Sequence, residues 1–84
     1  RITGRVQGVS FRAWTRAEAE RLRLTGWVRN EADGSVRALI AGPRPALEAM
    51  VERLWEGPPA ASVSSVRVEN AALQEAREGF EILR

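Results

Sequence analysis

Residues 25–41, TGWVRNEADGSVRALIA, decide the fold. Two β-prone runs, Thr25 to Glu31 and Ser35 to Ala41, flank a turn containing Asp33 and Gly34, a strong hairpin signal. If Val28 and Asn30 share a face with Val36, Ala38 and Ile40, the numbers of facing residues sum to an even value, so the loop holds an odd number of residues. A three-residue loop of Ala32, Asp33 and Gly34 fits, with Gly34 in the left-handed conformation that its missing side chain permits. Asn30 then lands on the helix-covered face near the loop before the first helix, where an amide is a poor core residue without a polar task.

The elements outside the hairpin follow from periodicity. Upstream, Ile2 to Val6 is a short β-type run, and Phe11 to Leu24 reads as a helix with Phe11, Thr15, Ala19 and Leu22 on one stripe and Ser10 placed to cap it. Downstream, Gly42 and Pro43 break the strand. Pro45 then fits the first turn of a helix whose Leu47, Met50, Val51 and Leu54 recur at helical spacing and which stops at Gly57, Pro58 and Pro59. Val63, Val66 and Val68 suggest another strand, and Phe80 and Ile82 a closing one after the polar Gln74 to Glu78 stretch. The order is βαββαβ over one domain, residues 1–84, with no internal repeat. Right-handed crossovers place both helices on one face of a mostly antiparallel sheet, giving a ferredoxin-like α/β sandwich.

That architecture hosts enzymes, RNA binders and regulatory modules, so composition has to narrow the function. The 84 residues contain no histidine and no cysteine, which excludes imidazole bases, thiolate nucleophiles, disulfides and zinc sites built from those ligands. One aspartate and scattered glutamates make no carboxylate cage, so no metal and no cofactor are expected. All thirteen basic side chains are arginine, yet the formal net charge is only +2, so charge alone implies no nucleic acid. No apolar run approaches the roughly 20 residues that span a bilayer, so no membrane is expected, and the cytoplasm is the default location. Trp14, Trp27 and Trp55 are expected to pack. Arg29 and Arg37 are expected on the solvated sheet face opposite Asn30.

Chemistry concentrates in residues 4–12, GRVQGVSFR. A strand that passes through a glycine-containing loop into a helix aims several backbone N–H groups at one point, where the helix dipole adds positive charge. Gly4 and Gly8 let the backbone curl, and Arg12 in the first helical turn offers a planar fork of donors. The combination is an anion cradle.

GRVQGVSFR, followed by GWVRN at residues 26–30 and DGSV at 33–36, resembles the acylphosphatase family. The likeness extends along the chain through GP at 42–43, GPP at 57–59 and the terminal FEILR. The resemblance implies hydrolysis of small acyl phosphates, with inorganic phosphate as product and inhibitor, by a monomer. It implies a phosphate-binding role for Arg12, a water-orienting role for Asn30, and a backbone cradle formed by Arg5, Val6, Gln7, Gly8 and Val9. The side chains of Gln7 and Ser10 are read as a loop hydrogen-bonder and a helix cap. Arg23 stands where the family often has glycine, which bears on the end of the first helix. The same VQGVxFR segment also fits an acylphosphatase-like domain of a larger carbamoyl-transfer maturation factor. An RNA-recognition sheet would want aromatics on its central strands, and SVRALIA has none.

Overall fold

The computed structural model describes residues 1–70 and 79–83; Gln74 to Glu78 and Arg84 lie outside the described residues. The elements run β1 (Ile2–Arg5), α1 (Phe11–Arg21), β2 (Thr25–Asn30), β3 (Val36–Ala41), α2 (Arg44–Glu56), β4 (Ser62–Val66) and β5 (Phe80–Ile82). They build one five-stranded sheet in the order β4-β1-β3-β2-β5, antiparallel except that β5 lies parallel to β2. This is the ferredoxin-like arrangement expected from the pattern. Among the described residues, no helix is long and apolar enough to cross a membrane.

The hairpin register follows the parity argument. Val28 pairs with Ala38 and Asn30 with Val36. Glu31 N donates to Ser35 O at 2.8 Å and Gly34 N to Glu31 O at 3.2 Å, closing the three-residue loop. Gly34 has φ 93, in the region that favours glycine. Asp33 Oδ1 accepts from Ser35 N at 2.9 Å and from Ser35 Oγ at 2.6 Å, so the turn is braced by its own side chains. Those same bonds, from the Ser35 hydroxyl first and its amide second, hold the Asp33 carboxyl below its ordinary pKa.

The core lies between the sheet and the two helices. Phe11 and Ala19 of α1 and Met50 and Leu54 of α2 meet Ile2, Val28, Val36 and Phe80 of the strands, all buried. Fully burying side chains of this size contributes about 1.5–3 kcal/mol each before the ordering entropy is counted. The helices are joined over the core by Glu18, whose Oε1 accepts from Arg53 Nε at 2.7 Å and from Arg21 Nη2 at 3.0 Å. The Arg53 guanidinium also lies 5.4 Å from the Trp14 ring centroid, and Trp14 packs on Phe11 at 5.5 Å.

Four local expectations change. Helix α1 stops at Arg21, short of Leu24, because Arg23 takes φ 59 and the chain turns in a Schellman motif: Leu24 N donates to Ala19 O at 2.8 Å and Arg23 N to Glu20 O at 3.0 Å. Ser10 does not cap α1 through its side chain. At φ 61, ψ 28 it is left-handed, whereas a capping hydroxyl needs a β-region backbone to turn back on the first amides. Trp55 is 50% exposed, so of the three tryptophans it is the one that does not pack. β4 ends at Val66, leaving Val68 exposed.

Candidate active site

The loop joining β1 to α1 carries a run of free donors. The backbone N–H groups of Gln7, Gly8, Val9 and Ser10 donate to no acceptor among the described residues, whereas Val6 N is turned back onto Gly4 O at 3.1 Å. Gly8 has φ 73 and Ser10 φ 61, with Val9 on the ordinary side between them. Such alternation of backbone hand curls successive amides into an anion-binding nest. A Cβ at Gly8 would meet open space, so the backbone angle and not crowding demands glycine there. Ser10 holds a left-handed angle without that freedom, a local strain of the kind that clusters at binding sites.

Helix α1 begins directly from this loop, and Trp14 N makes its first bond to Ser10 O at 3.0 Å. The unpaired amides of the first turn therefore face the same region as the nest. Arg12, one residue into the helix, is partly buried, and its Nη1 donates to Leu83 O at 3.3 Å. Among the described residues, no carboxylate forms an ion pair with Arg12. Its charge is held in place by that bond, with no compensating carboxylate among the described residues.

A cleft of about 360 Å³ opens here, lined by Val6, Gly8, Ser10, Phe11, Arg12, Ala13, Asn30 and Ile82. Asn30 reaches it because the hairpin register puts it on the face of Val28 and Val36. Its Oδ1 is buried with no hydrogen-bond partner among the described residues. An acceptor left unsatisfied in the interior costs about 1–3 kcal/mol. The structure thus brings together Arg12, Asn30 and Gly8, while Arg5 lies at the end of β1. Gln7 points its side chain elsewhere: Nε2 donates to Glu31 O at 2.8 Å and to Ser35 O at 2.9 Å.

On the opposite sheet face, Arg29 and Arg37 pair directly across β2 and β3, with Glu31 between them at 3.5 Å and 3.8 Å. Sequence reasoning missed Ile82 and the Leu83 carbonyl as parts of the site. The alternation of Phe80 and Ile82 placed both on one face of the closing strand, which was the available signal for Ile82. A backbone carbonyl leaves none.

The chain matches known proteins along its whole length. The family model described as Acylphosphatase covers residues 1–82. The acylphosphatase of Rhizobium meliloti (strain 1021) is 64% identical over 84 residues, spanning 100% of this chain and 88% of the relative. The solved acylphosphatase of Bacillus subtilis superposes with a TM-score of 0.94 at 38% identity, covering 99% of this chain and 92% of that one. HypF of T. kodakarensis superposes at 0.89 with 26% identity, but this chain spans only 11% of it.

Proposed function

The chain belongs to the acylphosphatase family, enzymes that hydrolyse acyl phosphates, and from that premise we propose that Arg12, Asn30 and the loop from Arg5 to Val9 divide the work of catalysis. The coverage of free-standing relatives, against a small fraction of HypF, favours this reading over that of a domain within a larger maturation factor.

The substrate needs little from the protein. Its leaving group is a carboxylate whose conjugate acid has a pKa of about 4, so it departs without a general acid. The remaining tasks are to hold the phosphoryl group, offset charge on its equatorial oxygens and aim a water in line with the leaving group. Arg12 and the backbone amides of the loop perform the first two. Asn30 Oδ1 accepts a hydrogen bond from the water and so directs a lone pair at phosphorus. The water oxygen then bonds to phosphorus as the bond to the acyl oxygen breaks. The carboxylate leaves with that electron pair, and a water proton passes to the phosphate product. No step calls for a metal.

The observation that carries this reading is one cleft in which, among the described residues, Arg12 has no carboxylate partner and the buried Asn30 Oδ1 no hydrogen-bond partner, and which Gly8 and Ser10, with unbonded amides, help to line. The same proposal takes the protein as a monomer with residues 1–84 acting as one unit. Acyl phosphates hydrolyse spontaneously, so they must be met where they form, which fits a cytoplasmic enzyme. The test is phosphate release from benzoyl phosphate with a metal chelator present. Turnover by the parent protein and its loss in Arg12→Ala are expected; equal turnover by both would overturn the assignment.

A further inference from the structure

Part of the cleft takes no role in holding phosphate or water. Gly8, Ser10, Arg12 and Asn30 supply its polar lining, and the remainder, among the described residues, is Val6, Phe11, Ala13 and Ile82. Val6 and Phe11 are buried, at 1% and 2% exposure, so they form a floor with little surface to offer. Ala13 is exposed and Ile82 half-buried, so these two carry the apolar surface that a ligand can cover. The wall is fixed in place. Leu83, next to Ile82, donates its N–H to Val28 O at 2.8 Å, and its carbonyl accepts from Arg12. At about 360 Å³ the cleft falls within the range of small-molecule sites, which set a few polar groups in a mostly apolar lining. Among the described residues, its lining holds no charged group besides Arg12.

We propose that Ala13 and Ile82 form an acyl-binding wall that gives this enzyme a preference for alkyl and aromatic acyl phosphates over polar ones such as carbamoyl phosphate; this rests on the catalytic reading above. The phosphoryl oxygens take the loop amides and Arg12, and the water takes Asn30. In-line displacement puts the acyl group across phosphorus from that water, so the lining left for it is the apolar one. Each methylene covered there leaves water and tightens binding by up to about fourfold, less where the cleft is open. A methyl and an amino group differ little in size, but only the amino group gives up hydrogen bonds to water against such a wall. Inorganic phosphate, which has no acyl group, does not sense the wall.

The test uses 2-oxoalkylphosphonates, in which a CH2 replaces the bridging oxygen, as unreactive competitive inhibitors of benzoyl phosphate hydrolysis. Their affinity reports acyl binding without the leaving-group chemistry that enters kcat. From methyl to butyl chains, Ki should fall by about twofold to fourfold per carbon, and carbamoylmethylphosphonate should bind at least about threefold more weakly than its methyl counterpart. Ile82→Ala should flatten the slope to below about 1.5-fold per carbon, with inhibition by inorganic phosphate changed by less than about threefold. Ala13→Leu, at an exposed helical position where leucine is well tolerated, should steepen it. A flat series in the parent, tighter binding of the carbamoyl analogue, or a slope unmoved by both variants overturns the proposal. Equal loss of phosphate inhibition in Ile82→Ala would make that residue a support of the fold and overturns its role. If Ile82→Ala does not fold, an unchanged slope in Ala13→Leu overturns the wall. Failure of the parent to hydrolyse benzoyl phosphate would remove the catalytic reading itself; hydrolysis with a flat phosphonate series removes only the wall.

Discussion

Asn30 and Val36 stand directly opposite each other across β2 and β3. Val36 is fully buried, and on that same face the Oδ1 of Asn30 is buried without a partner among the described residues. Replacing Asn30 with alanine should lower kcat by at least about 10²-fold while inorganic phosphate still inhibits competitively. The same variant should be no less stable than the parent, and up to about 1 kcal/mol more so, because an unsatisfied polar atom leaves the interior. Steady-state kinetics and urea unfolding check both halves. Retained kcat with lost phosphate affinity would reverse the assigned roles.

Arg12 anchors a planar fork of donors that a point charge cannot copy. Arg12→Ala should lose both phosphate binding and turnover, the latter by about 10²-fold to 10³-fold, and Arg12→Lys should recover little of either. Phosphate titration followed by tryptophan fluorescence measures the binding directly. A lysine variant with parent-like affinity would show that charge alone suffices.

Arg23 occupies the left-handed position of the Schellman motif at φ 59, where a Cβ is strained. Glycine relieves that strain but loses more entropy on folding, so Arg23→Gly should stabilise by about 0.5–1 kcal/mol net. The denaturation midpoint should rise with the slope unchanged. A lower midpoint would mean that the Arg23 side chain contributes more than its backbone costs.

Glu18 is held below its ordinary pKa, first by the hydrogen bond from Arg21 and then by that from Arg53. Because the folded value is depressed, the contribution is fully present above the unfolded pKa of about 4.3 and is lost as pH falls through the folded value. Glu18→Gln should therefore cost about 0.5–1 kcal/mol at pH 7, a modest figure because Arg53 is partly solvated. The gap should narrow as pH falls from 7 through the depressed folded value. A gap that stays constant across that range would assign the loss to packing.

What the sequence made legible was whatever side-chain alternation and turn chemistry govern. Parity placed Asn30 opposite Val36, and Gly34 limited the loop to three residues. What stayed hidden depends on backbone angles and on distant chain. Ser10 looks like a cap until its φ is known, and at Arg23 the residue type hides a glycine angle that only the resemblance to a family with glycine there hinted at. The valine spacing predicted a strand reaching Val68, but the ladder with β1 ends at the pairing of Ile2 with Val66. The partner of Arg12 lies 71 residues away and is a carbonyl, which no residue type encodes.

That last bond has a consequence for how the protein comes into being. By residue 30 a growing chain already contains the loop, the arginine and the asparagine. The anchor at Leu83 and the wall at Ile82 arrive only with the final strand, whose docking beside β2 is a non-local event of the kind that comes late in folding. Phosphate can then favour only the completed topology, since nothing shorter presents the whole cleft. A nascent chain would stay blind to its ligand until β5 had left the ribosome.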